Sequence, residues 1–185
     1  MARSSRIAAS VAARARKVRL LLVDVDGVLT DGRIYLLSRP DGTALEMKAF
    51  SAYDGAGLKL ARVAGLRTGL ITGRESAATS RRARELDMEF VYQGIADKIV
   101  TFRKLVQRAG VEVSEIAYVG DDLPDLPILE RVGLAIAVAN AVPEVKRQAH
   151  YVTRATGGNG AVREVVELIL KAQGKWANLL SKARA

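Results

Sequence analysis

The stretch Leu20-Leu21-Leu22-Val23-Asp24-Val25-Asp26-Gly27 joins an apolar run to a pair of acids. Leu20–Val25, apolar apart from Asp24, predicts a strand buried on both faces, as in a parallel sheet. Asp24 and Asp26 lie two residues apart, so on extended backbone their side chains point to the same side. Carboxylates so placed repel each other, and acids are disfavoured in strands. The stretch therefore marks a strand that ends in a site.

Working outward, strands and helices alternate. Arg33–Ser38 and Ala44–Phe50 flank Pro40-Asp41-Gly42, the pattern of a β-hairpin. Helices are expected over Gly57–Ala64, Glu75–Leu86, Pro124–Arg131 and Ala161–Ala172. A further helix over 97–109 carries Ile99, Phe102, Leu105, Val106 and Ala109 at helical spacing, with Asp97 as N-cap and Gly110 as C-cap. Strands are expected at Thr68–Ile71, Phe90–Tyr92, Ile116–Val119 and Leu134–Val138. This alternation predicts an α/β fold, a Rossmann-like three-layer sandwich with a mostly parallel sheet and a projecting β-hairpin. No internal repeat or long Pro-, Gly- or Ser-rich linker divides the chain.

Composition narrows the chemistry. With 185 residues, 49% hydrophobic and 26% charged, the chain suits one globular domain. It has no Cys, which excludes disulfides, thiol catalysis and thiolate metal sites, and His150 is the only His. No apolar run reaches the ~18 residues of a membrane span. The net charge of +9 is concentrated at the ends. Residues 1–19 hold six basic residues and 171–185 hold four, with no acid in either. The segment 20–170 keeps 19 basic residues against all 20 acidic ones. Three parts are expected: a basic segment 1–19 with a short surface helix over Val11–Val18, a domain at 20–172 and a basic tail at 173–185. Neither nucleic acid nor membrane is expected as a partner, because the body is near neutral and lacks an aromatic-and-basic cluster.

In open α/β sheets, ligands bind beyond the carboxyl ends of the strands. The expected strands end in Asp24-Val25-Asp26-Gly27, in Thr72-Gly73-Arg74, near Lys98, and in Gly120-Asp121-Asp122 with Asp125 following. Singly, each acid suits a turn or a cap. Two acidic groups at one sheet edge would repel without a cation, and all-oxygen ligands with a phosphate suit Mg²⁺. Lys98, in the first turn of a helix, opposes the macrodipole, which an anion beside that helix terminus would explain. Thr72 and Gly73 offer a hydroxyl and an open backbone N–H for phosphate oxygens.

The ordered set Asp24-x-Asp26, Thr72, Lys98 and Gly120-Asp121-Asp122-x-x-Asp125 resembles the four motifs of the haloacid dehalogenase superfamily of phosphotransferases. Asp24 through Gly32, Phe50 through Gly57, Ile71-Thr72-Gly73-Arg74, Tyr92-Gln93-Gly94 and Gly157 through Glu164 are similar to the bacterial 3-deoxy-D-manno-octulosonate 8-phosphate phosphatases within it. The resemblance implies two-step phosphoryl transfer in lipopolysaccharide precursor synthesis, in the cytoplasm. Asp24 is then the nucleophile and Asp26 the general acid and base. Mg²⁺ is held by the side chains of Asp24 and Asp121 and the backbone of Asp26, with Asp122 or Asp125 in support. Thr72, Gly73 and Lys98 hold the phosphoryl group, and Arg74 and Arg82 are candidates for a sugar carboxylate. The short intervals between motifs imply a capless subunit in a homotetramer, with the hairpin of one subunit lining its neighbour's site. Tyr53 departs from the family pattern, in which many members have Arg there, and keeps a nine-carbon keto-deoxy sugar phosphate open as substrate. The rival from another class is a phospho-accepting receiver domain using Asp24, Asp26, Asp54, Thr72 and Lys98.

Overall fold

A computed structural model describes residues 8–184 of the chain. Arg3 and Arg6 of the basic N-terminal stretch lie outside the described residues. In chain order, helices and strands run α1 (Ala9–Lys17), β1 (Leu20–Val23), β2 (Tyr35–Ser38), β3 (Ala44–Met47), α2 (Ala52–Val63), β4 (Arg67–Ile71), α3 (Ala77–Glu85), β5 (Phe90–Tyr92) and α4 (Lys98–Ala109). The second half continues with β6 (Ile116–Gly120), α5 (Leu126–Leu129), β7 (Leu134–Ala137), α6 (Pro143–Gln148), β8 (Tyr151–Val152), α7 (Ala161–Ala172) and α8 (Trp176–Arg184). Short 3₁₀ turns at Val113–Glu115 and Leu123–Asp125 bracket β6.

Six strands form one parallel sheet in the order β5-β4-β1-β6-β7-β8, with Leu20 in register with both Arg67 and Ile116. β1 is central, and its four residues have no solvent exposure. Burying a side chain such as Leu is worth about 1.5–3 kcal/mol, so the run Leu20–Val23 anchors the centre of the sheet. Helices α1 and α2 both pack on α7, and α4 and α6 both pack on α5, so the sheet is flanked by helices. β2 and β3 form a separate antiparallel hairpin that pairs Tyr35 with Met47 and Leu37 with Leu45. The parallel α/β architecture and projecting hairpin are those the sequence predicts.

Several boundaries differ. α2 starts at Ala52 rather than Gly57, because Ser51 caps it by accepting a hydrogen bond from the Asp54 N–H at 3.3 Å. β1 ends at Val23, so both acids follow the strand rather than continuing it. α6 and β8 are too short to carry a periodic signal, and the sequence does not announce them. The segment expected as a basic C-terminal tail forms α8, whose Trp176 and Leu179 pack against the core.

A glycine contact closes the fold around the end of β1. Gly157 lies so close to the following loop that a Cβ there would come within 1.8 Å of the Gly27 carbonyl oxygen. The Asn140 side chain bridges the same loops, donating to the Gly27 carbonyl at 3.1 Å and accepting from the Gly157 N–H at 2.7 Å. This fixes the backbone immediately after Asp26.

Candidate active site

The carboxyl ends of β1, β4 and β6 open onto a cavity of about 500 Å³. Asp24, Asp26, Thr72, Gly73, Arg74, Lys98, Asp121, Asp122 and Asp125 all line it. Residues spread over a hundred positions of chain therefore meet at one sheet edge.

Lys98 sits at its centre, with its side chain 6% exposed. Its Nζ lies 2.9 Å from Asp24 Oδ1 and donates to Asp125 Oδ1 at 2.8 Å. Burial alone would lower the pKa of the ammonium, but Asp24 and Asp125 reverse this and hold it above its ordinary value. The apparent conflict with the helix macrodipole is thus resolved by two carboxylates at the same helix end.

Asp125 is fully engaged. Besides Lys98, its Oδ1 accepts from the buried Tyr118 hydroxyl at 2.7 Å. Its Oδ2 accepts from the backbone N–H of Asp121 at 3.0 Å and of Asp122 at 3.4 Å. Burial and the nearby acids push the Tyr118 hydroxyl well above its ordinary range, so it remains a donor. Asp122 is exposed and accepts from the Leu123 N–H at 2.8 Å, capping the 3₁₀ turn.

Asp121 has the opposite environment. Its Oδ1 is buried without a hydrogen-bond partner. Burial, then Asp24 and Asp125, push its pKa up to about 8. Burial and Asp125 likewise raise Asp24 to about 6 against the pull of Lys98. Asp24, Asp121 and Asp125 each place a carboxylate oxygen within 4.8 Å of the others. Excess buried negative charge on an all-oxygen donor set fits a hard divalent cation. Gly27 permits the crowding, because a Cβ there would come within 2.0 Å of the Asp121 carboxylate, and its φ of +89° suits only glycine well.

Thr72 is buried at the end of β4, its N–H donating to the Tyr92 carbonyl at 3.0 Å. Arg74 stands at the rim, donating to Glu46 Oε2 at 2.7 Å, with its Nε 3.8 Å from Asp26 Oδ2. Two other residues named from the sequence lie elsewhere. Arg82 does not line the cavity; it donates to the Ser51 carbonyl at 3.2 Å and stacks over Phe50, which ties α3 to the start of α2. Asp54, the central acid of the receiver alternative, is buried away from the cavity. It accepts from the N–H groups of Gly160 at 3.1 Å and Arg163 at 2.8 Å, capping α7.

The sequence reading missed Lys48. Its side chain is 3% exposed and donates to Asp26 Oδ1 from the end of the hairpin. A lysine following an apolar strand carries no signal of this contact, which the hairpin's folding onto the cavity creates.

Comparisons with known proteins supply the chain's relatives. A family model for haloacid dehalogenase-like hydrolases matches residues 88–165. The 3-deoxy-D-manno-octulosonate 8-phosphate phosphatase of Escherichia coli is 44% identical over 169 residues, covering 91% of this chain and 88% of that protein. The crystal structure of a probable YrbI family phosphatase from Pseudomonas syringae superposes with a TM-score of 0.90 at 45% identity, covering 95% of this chain and 98% of that one. The phosphatase of Moraxella catarrhalis, in complex with magnesium, phosphate and KDO, superposes with a TM-score of 0.87 at 42% identity, over 93% and 97% of the two chains. By its sequence along nearly its whole length and by its fold, the chain belongs to the 3-deoxy-D-manno-octulosonate 8-phosphate phosphatases among the haloacid dehalogenase-like hydrolases.

Proposed function

We propose that this protein is a Mg²⁺-dependent phosphomonoesterase that hydrolyses 3-deoxy-D-manno-octulosonate 8-phosphate to the free sugar acid and phosphate. The observation that carries this is Lys98 held between Asp24 and Asp125, with Asp121 buried and unpartnered beside them. The magnesium, phosphate and sugar acid of the Moraxella catarrhalis complex support the choice of ligands. The place of action is the cytoplasm, in lipopolysaccharide precursor synthesis, as the family implies.

In the first step the Asp24 carboxylate attacks phosphorus and the ester P–O bond breaks. The departing electron pair stays on the sugar oxygen, which takes a proton from Asp26. Asp26, now a carboxylate, removes a proton from water as that water's oxygen attacks the aspartyl-phosphate. The bond between phosphorus and Asp24 breaks, its electrons return to Asp24, and inorganic phosphate leaves. Lys98, Thr72 and the Gly73 N–H hold the phosphoryl oxygens, and Lys98 offsets the charge of Asp24. Asp24, Asp121 and the Asp26 carbonyl would hold Mg²⁺, whose positive charge would then be available to the transferring phosphoryl group. Asp125 serves by fixing Lys98 and the Asp121 backbone, and Asp122 by capping the turn. Arg74 receives the sugar carboxylate.

The working unit is a homotetramer. Its support is the hairpin, which leaves Ile34, Leu36, Leu37, Leu45 and Met47 exposed. The decisive assay compares phosphate release from the eight-carbon substrate and a nine-carbon keto-deoxy sugar phosphate, with Mg²⁺ and with chelator. A higher kcat/KM for the eight-carbon ester, lost on chelation, is expected. Preference for the nine-carbon ester would reassign the substrate and point to Tyr53, which is 74% exposed and outside the cavity of its own chain.

A further inference from the structure

We infer that Lys48 is the positioning residue for Asp26, and that the hairpin thereby braces a working residue of its own subunit's site. The inference rests on the phosphatase reading above. Lys48 follows β3, 22 residues beyond Asp26, yet its ammonium is enclosed and donates to Asp26 Oδ1. The same ammonium lies 3.9 Å from Glu46 Oε1, and Glu46 holds Arg74 through its other oxygen at 2.7 Å. Two acids and two bases thus alternate from the end of β1 across the hairpin to the end of β4.

The consequence lies in what this chain leaves open. With Oδ1 taken by Lys48, Asp26 keeps Oδ2 buried and without a hydrogen-bond partner, and Asp26 itself lines the cavity. A carboxyl group that rotated freely would present either oxygen. Lys48 removes that freedom, so one defined oxygen exchanges the proton with the leaving sugar oxygen and later with water. Enclosing an ammonium is costly unless it is paired, so the contact is built into the fold rather than incidental.

The test compares two leaving groups. A sugar alkoxide needs its proton as the P–O bond breaks, whereas p-nitrophenolate is stable without one. The water step is common to both esters, so release of the leaving group is read in a single turnover. Lys48→Met is expected to slow release of the sugar by about 10²-fold, the scale of an ångström misplacement at a reacting centre. For p-nitrophenyl phosphate the loss is expected to stay below about tenfold. Lys48→Arg should recover most of the loss, and Lys48→Gln, which removes the charge but keeps a polar group beside Asp26, carries the same comparison should Lys48→Met fail to fold. Equal losses on both esters would overturn the inference and leave Lys48 a structural residue. A crystal structure of Lys48→Met gives a readout independent of turnover: the Asp26 carboxyl group should leave its position, and an unmoved Asp26 would overturn the inference. Wild-type protein inactive on every ester would instead refute the phosphatase reading, while the position of Asp26 would still judge Lys48.

Discussion

The sheet edge and the hairpin invert the usual distribution of polarity in opposite senses. At the ends of β1 and β6, Asp24, Lys98 and Asp125 are buried. On the hairpin, Leu36 and Leu37 are each 64% exposed and Met47 60%. A single chain in water favours neither arrangement. Each is incomplete in a different way: the sheet edge has negative charge in excess, and the hairpin has apolar surface in excess. The first calls for a cation and the second for another protein surface. The two regions meet at Asp26, Lys48, Glu46 and Arg74, where opposite charges balance.

The sharpest way to break this division is at Asp24. Asp24→Asn removes the proposed nucleophile while nearly preserving volume and should reduce kcat by about 10⁴-fold or more. Single-turnover release of phosphate from the sugar ester measures it directly. Full activity in this variant would remove the catalytic meaning of the inverted edge.

Next in size is the loss of the buried cation. Lys98→Met leaves Asp24 and Asp125 facing each other without a counter-charge, and breaking a buried pair in this way costs about 3–5 kcal/mol. Denaturant unfolding should show that loss, with Mg²⁺ restoring part of it. If Lys98→Met unfolds like the wild type, the acids are not held together by Lys98.

Removing Mg²⁺ tests the same edge by pH. Asp24 and Asp121 have folded pKa values of about 6 and about 8, above the ordinary 3.8. Between these limits the folded protein binds more protons than the unfolded chain, so metal-free stability falls as pH rises from about 4 to about 8. A cation that replaces those protons therefore stabilises more at pH 8 than at pH 5. At a hundredfold excess over its dissociation constant, Mg²⁺ is worth about 2.7 kcal/mol, or roughly 5–10 °C in Tm for a chain of this size. An equal gain at both pH values would place the ion elsewhere.

How much of this was legible depends on whether a residue acts through its own strand or through a fold-over. Asp24, Asp26, Thr72 and Asp121 follow strands, and parallel topology alone carries strand ends to one edge. The Lys98 position was legible as an electrostatic oddity in a first helical turn. The surroundings of Arg82 were not legible, because a cation on a helix near the site gives no indication of which way it turns; here it turns to the Ser51 carbonyl. Lys48 was invisible because its partner is fixed by how the hairpin folds back, which neither strand periodicity nor the Asp41-Gly42 turn encodes. The early start of α2 was hidden by Gly55 and Gly57, which lower helix propensity although the Ser51 cap and tertiary packing offset them.

The gentlest perturbation falls on the hairpin and separates its two roles. The pairing of Tyr35 with Met47 and Leu37 with Leu45 places these four side chains on one face, while Leu36 and Glu46 share the other. Glu46 turns to Arg74 at the rim of the chain's own cavity, and the Leu37 face lies opposite that contact. Leu37→Asp, at an exposed position, should change the stability of the isolated fold by no more than about 0.5 kcal/mol. Its effect should appear in solution mass, as a shift from the proposed tetramer toward single chains of 19.9 kDa. Retention of p-nitrophenyl phosphate turnover alongside a rise in KM for the sugar phosphate would assign the Leu37 face to the neighbouring subunit's substrate. Unchanged mass with unchanged kinetics would confine the hairpin's role to Glu46 and Lys48, because these reach their partners within one chain.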